Sequence, residues 1–171
     1  MHVSGILRGL SLLAFLFVLA ASNHFVYAQM SPARFGVGFN TLLSSEDGLG
    51  LGFRGRMSSA INADLSVALD LGVTGFILNG RDDASYVIDP QASLIVTMPG
   101  VDRASYLMGG LGAFINTSDK SNALEGPSIH VGIGWVRALS ESVLFYEINP
   151  ALIIGKESVG VAIPFRIGII L

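Results

Sequence analysis

The stretch Gly160-Val161-Ala162-Ile163-Pro164-Phe165-Arg166-Ile167-Gly168-Ile169-Ile170-Leu171 carries the reading of the whole chain. Its odd positions, Val161, Ile163, Phe165, Ile167, Ile169 and Leu171, are all apolar. Its even positions include Ala162, Pro164, Arg166 and Gly168. A period of two marks a strand whose faces meet different surroundings. The apolar face continues to Leu171, where a strand of a soluble protein would fray into polar residues. Repeated on every strand after an export signal, such a face implies a barrel standing in an outer membrane.

Working back along the chain, seven more stretches alternate. The first, Arg34–Leu43, sets Phe35, Val37, Phe39 and Leu43 against Gly36, Gly38 and Asn40. The second, Leu49–Met57, sets Leu49, Leu51 and Phe53 against Gly50, Gly52, Arg54 and Arg56. The third is read as Asn62–Thr74, with Asp64, Ser66, Ala68, Asp70 and Gly72 on its polar side. The fourth is Tyr86–Met98, the sixth Ser128–Arg137 and the seventh Val143–Ile153. In the fifth, Ala104–Ile115, Gly109, Gly110 and Gly112 hide the phase. Each is near the 9–11 residues that a tilted strand needs to cross the hydrocarbon. Pro90 and Pro150 fall inside strands and imply a lost ladder bond or a bulge. The longer polar connections, Gly75–Ser85 and Asn116–Pro127, fall at one end of the barrel, opposite both termini. Barrels of this kind place such loops outside the cell.

The first 28 residues read as an export signal. Arg8 supplies the positive charge, Leu10–Ala21 the apolar segment, and Val26-Tyr27-Ala28 a small-residue cleavage site before Gln29. The apolar segment is too short for a spanning helix. The mature domain is then residues 29–171. There is no cysteine, so no disulfide and no lipid attached through one. Charged residues make up 13% of the chain, about half the usual share. A formal charge of −3 without a basic patch excludes nucleic acid as an expected partner. No helix-forming run after residue 28 is long enough to span, and a closed barrel is the other way to satisfy every backbone group in lipid.

Charged side chains on the polar faces would line the lumen: Arg54, Arg56, Asp64, Asp70, Asp89, Glu147 and Arg166, with His130 beside them. An eight-stranded bore is just wide enough to be filled by side chains. Unpaired charge there is costly, so these groups should form an internal ion network that plugs the bore. A narrow ion path is the alternative, although selective pores carry rings of one sign. Ser128 and His130 share a strand face, roughly 6.5–7 Å apart. With His130 the one histidine left after signal removal, the two could begin a serine–histidine nucleophile set, with Glu125 and Glu147 as candidate acids between which the spacing does not select. Inward phase and spacing both disfavour it, so no catalytic set, cofactor or metal site is expected. Trp135, Tyr146 and Phe165 fall on the apolar face and suit an interfacial aromatic girdle.

Taken together, the export signal, the eight alternating stretches, the glycine-rich Leu107–Phe114 and the terminal strand resemble the small eight-stranded outer-membrane barrels of the OmpA/OmpX type. That resemblance implies an all-β, closed, antiparallel up-and-down barrel. It also implies outer-membrane lipids as surroundings, the barrel-insertion machinery as a partner in biogenesis, and a monomer. Terminal strands of that family usually end in an aromatic residue, whereas this one ends in Leu171 with Phe165 its sole aromatic. The function expected is non-enzymatic: envelope integrity or loop-mediated contacts. The alternatives are a lipid A-modifying enzyme using Ser128 and His130, or a secreted lipocalin-like barrel with its apolar face turned inward.

Overall fold

A computed structural model describes residues 32–45, 47–76, 85–98, 100, 103–117, 125–155 and 158–171. Residues 1–31, where the export signal is expected, and the bodies of the two long connections, 77–84 and 118–124, lie outside the described residues.

The described residues form nine strands: β1 Arg34–Ser44, β2 Gly48–Ala60, β3 Leu65–Phe76, β4 Ser85–Met98, β5 Ala104–Asn116, β6 Gly126–Ala138, β7 Val143–Ile148, β8 Ala151–Ile154 and β9 Val159–Ile170. All pairings are antiparallel: β1 to β7 pair in succession, β8 pairs with β6 and β9 as β7 does, and β9 pairs back onto β1. The sheet is therefore closed and has no free edge. β7 and β8 are two halves of one stave. Trp135 pairs with Tyr146 and Ser128 with Ile153, the same register on β6. Pro150 falls at the break, and the ladder runs through it: Val131 N–H donates to the Pro150 carbonyl at 3.1 Å, and Asn149 N–H to the Pro164 carbonyl at 3.1 Å. The chain thus forms an eight-stave, up-and-down barrel.

Pro90 behaves similarly. Its β3 side stays in register, with Leu71 opposite, while pairing to β5 lapses between Ile88 and Gln91. A missing N–H costs only the bonds on one side of the strand. Among the described residues no helix is long and apolar enough to cross a membrane.

The strand faces separate cleanly. Phe53, Val131 and Phe39 are 68%, 67% and 63% exposed on the outer wall. Arg54, Arg56, Asp70, Asp89, Glu147 and Arg166 are all buried inside. In β5, Leu107, Leu111 and Ile115 point out, while Tyr106, Met108 and Phe114 are buried within.

The bore is filled in layers. Near the loop end, Leu42, Phe76, Val87, Phe114, Ala151, Ile153 and Ala162 form an apolar cluster. Near the opposite end, Ala68, Ile95, Tyr106 and Met108 form another, with Val136 packed against it. Polar groups lie between. Room for large side chains comes from inward glycines on the intervening strands. Gly72 stands between Arg54 and Asp89 in the ladder, and Gly134 between Tyr106 and Glu147. Gly52 stands between Asn40 and Thr74, and Gly110 between Ser93 and His130. In all four rows the outer two side chains bond to one another over the glycine. A Cβ on Gly72 would run into Asp89 Oδ1 and Arg54 Nη2, and one on Gly134 into the Tyr106 ring.

Gly72→Ala should therefore destabilise the barrel by about 1–3 kcal/mol through overpacking. Gly134→Ala should do the same, but with much less added cost in a Tyr106→Ala background. A double-mutant cycle on urea unfolding from lipid vesicles measures that coupling, and strict additivity would refute the contact.

Candidate functional site

The centre of the bore is organised by one carboxylate. Glu147 on β7 accepts from Arg56 Nη1 and Nη2 at 2.9 Å each, a two-pronged guanidinium–carboxylate pair. It also accepts from Arg166 Nη1 at 2.8 Å and from the Tyr106 hydroxyl at 2.5 Å. Four donors fill the four lone-pair positions of a carboxylate. Arg56 in turn donates through Nε to Asp70 Oδ1 at 2.9 Å, and its guanidinium lies 5.0 Å from the Phe145 ring centre. Arg54 pairs with Asp89 and stands 3.9 Å from Asp70. Arg166 reaches Gln91 Oε1 at 3.0 Å, and Asn149 Nδ2 shares that oxygen at 3.3 Å.

These side chains come from β2, β3, β4, β5, β7 and β9, with Asn149 from the break between β7 and β8. Their charges are three arginines, Arg54, Arg56 and Arg166, against three acids, Asp70, Asp89 and Glu147. The cluster is neutral as a whole, which is the condition for holding charge in a dry interior.

One residue expected here is elsewhere. β3 begins at Leu65, so Asp64 belongs to the β2–β3 turn and is exposed. Asn62 Oδ1 accepts from Asp64 N–H at 2.9 Å and Leu65 N–H at 2.8 Å, which curls the chain before the strand starts. The alternation read from Asn62 onward runs through this turn without the pleat that gives it meaning.

His130 is buried and inward, but its partner is not Ser128. His130 Nε2 meets Ser93 Oγ at 2.9 Å across Gly110. The Nδ1 atom of His130 and the Ser128 hydroxyl have no hydrogen-bond partner among the described residues. An oriented serine–histidine–acid relay needs both bonds. Among the described residues no group of three or more histidines or acids is arranged to hold a metal ion.

On the outer wall, Trp135 and Tyr146 stack at 5.6 Å and 20°, close to the β6–β7 turn. Phe165 also faces outward but stands midway along β9, paired with Thr41 and Ile148, away from either rim. Phe39 and Phe53 make a second aromatic pair at 5.0 Å.

Sequence reasoning missed Tyr106, Gln91 and Asn149 as members of the cluster, and missed the apolar layers altogether. Leu107, Leu111 and Ile115 recur at even spacing and would have fixed the phase of β5, putting Tyr106 inside.

The fold is that of the small eight-stranded outer-membrane barrels. The structure is similar to Neisserial surface protein A, with a TM-score of 0.67 and 16% identity over 83% of this chain and 97% of that one. It is also similar to Ail, the attachment invasion locus protein of Yersinia pestis, with a TM-score of 0.50 and 14% identity over 81% and 97%. Ail in complex with the heparin analogue sucrose octasulfate gives 0.51 at 14% identity, over the same shares of both chains. At these identities the likeness is one of fold. No protein-family model and no curated protein sequence matches the chain.

Glu147→Gln should cost about 3–5 kcal/mol, because it strands Arg56 and Arg166 against a neutral amide. Tyr106→Phe should cost about 1.5–3 kcal/mol, the worth of one hydrogen bond to a charged acceptor. Urea midpoints of the lipid-reconstituted variants check both values, and the order of the two decides whether Glu147 is the hub.

Proposed function

We propose that this chain is a non-enzymatic integral outer-membrane barrel with a closed lumen, serving envelope integrity or presenting its loops to partners. One observation carries the reading: the exterior is apolar while a self-neutral ion cluster is buried inside. That is the reverse of a soluble domain, and the reverse of a lipocalin, whose bore must be apolar to take its ligand. A continuous apolar wall on a water-soluble monomer would expose far more apolar surface than such proteins carry.

The closed lumen is supported by the apolar layers above and below the cluster. Phe76 and Phe114 are fully buried in the loop-end layer, at 0% and 1% exposure. Side chains of this bulk across the bore support a lumen closed to hydrated ions. The non-enzymatic reading is supported by the placement of Ser128 and His130 in the bore, out of reach of a lipid substrate. The similarity to Neisserial surface protein A and to Ail supports an outer-membrane location, with residues 1–28 as the removed export signal and lipids as the immediate surroundings.

Expression of the full chain in a Gram-negative host should place it in the outer-membrane fraction, starting at Gln29. It should run as a heat-modifiable band on cold and boiled gels. Planar-bilayer recordings of the purified protein should show no porin-scale conductance. A soluble, detergent-independent product would overturn the membrane reading, and steady channels would overturn the closed lumen alone.

A further inference from the structure

The outer wall carries a depression. Across β6, β7, β9 and β1 the surface dips into a groove of about 310 Å³. Trp135, Tyr146, Ile148, Phe165, Ile167 and Phe39 line it. Thr41, also in the lining, turns its hydroxyl onto the Phe165 carbonyl, so almost nothing polar is offered to the groove. The ladder sets Trp135, Tyr146, Ile167 and Phe39 in one row and Ile148, Phe165 and Thr41 in the next. The groove therefore crosses three inter-strand spacings, roughly 14 Å. The stacked indole and phenol rings give it a stiff wall at the end nearer the β6–β7 turn.

A cation stands at that same end. Arg137 lies two residues beyond Trp135 on the same strand, hence on the same face and roughly 7 Å further along. It is exposed, and no described carboxylate pairs with it.

We propose that this groove and Arg137 together bind one anionic phospholipid, with an acyl chain in the groove and the phosphate on the guanidinium. The inference rests on the membrane reading above. Shape and charge both select this occupant. The slot is long, narrow and apolar, as a hydrocarbon chain requires, and a guanidinium sits where the headgroup would lie. A second copy of the barrel does not fit. A two-fold dimer brings the same patch against itself, and would set one concavity facing another. Within a bilayer the chain gains little from leaving other lipid tails. Discrimination between lipids therefore comes from the charge-assisted bond to the headgroup.

The chain has a single tryptophan, Trp135, which lines the groove and reports on it directly. The purified mature barrel is reconstituted in phosphatidylcholine vesicles with a small fraction of lipid brominated in its acyl chains. The brominated lipid is either phosphatidylglycerol or phosphatidylcholine. Trp135 fluorescence should be quenched by both, with an apparent affinity about fivefold higher for the anionic lipid. Arg137→Gln should abolish the preference and leave the quenching. Thr41→Phe, which fills the groove while keeping the arginine, should also abolish it. Cold and boiled gels verify that each variant is folded. Equal quenching by the two lipids in the unaltered barrel would overturn this proposal and leave the membrane reading standing. A preference that survives Thr41→Phe would reduce the site to headgroup attraction and overturn the groove. Absence of quenching by either lipid would overturn the membrane reading itself.

Discussion

The width of the bore governs this structure. Eight staves leave an interior that cannot take a large side chain from every strand at each level. The chain answers with rows in which bulk and absence of bulk alternate. Asn40, Gly52 and Thr74 form such a row, as do Arg54, Gly72 and Asp89, and Tyr106, Gly134 and Glu147. Neighbouring strands hold the backbone together, while side-chain bonds run between strands two apart. On directly neighbouring strands, Phe145 lies against Gly168 and Phe76 against Gly50. Glycine usually weakens a strand interior. Here it is covered by an aromatic ring or a salt bridge that would not otherwise fit.

The ion cluster depends on closure of the sheet. Arg56 and Glu147 are 91 residues apart, and Arg166 joins them from the last strand. Burying any of these charges before its partner arrives is unfavourable, since a lone ion in a low-dielectric interior is strongly penalised. Pairing of β7 with β9 sets Arg166 opposite Glu147, and the β1–β9 seam then brings Arg56 on β2 to the same carboxylate, so completing the wall and neutralising the bore are one event. The apolar layers at each end then keep water from competing for the donors around Glu147.

Much of this was legible in the sequence because a barrel wall obeys a simple rule of alternation. Phe35, Val37, Phe39 and Leu43 point outward as their spacing demands, and Arg54, Arg56, Asp70, Asp89, Glu147 and Arg166 point inward. The rule fails where its assumptions do. Asp64 keeps the parity of a strand but sits in a turn shaped by the Asn62 side chain. Gly109, Gly110 and Gly112 have no hydropathic sign, so β5 gave no phase and Tyr106 went unnoticed. Equating apolar with outward hid Leu42, Phe76, Val87, Phe114 and Phe145, which are apolar and inside. Pro150 suggested a bulge, yet the register passes through it unchanged because the flanking carbonyls and Asn149 N–H maintain the ladder.

The two faces of this sheet tolerate substitution in different ways. On the wall away from the groove, an outward leucine, valine or phenylalanine fits nothing inside the barrel, so any of them satisfies the fold. Inside, no single residue is indispensable, but combinations are. A glycine can become larger only if the pair bridging over it shrinks, so change must occur in threes, on strands that are not adjacent. Barrels of this shape can thus share few residues in common while keeping one architecture. Compensation of this kind would couple positions two strands apart, which are not ladder neighbours.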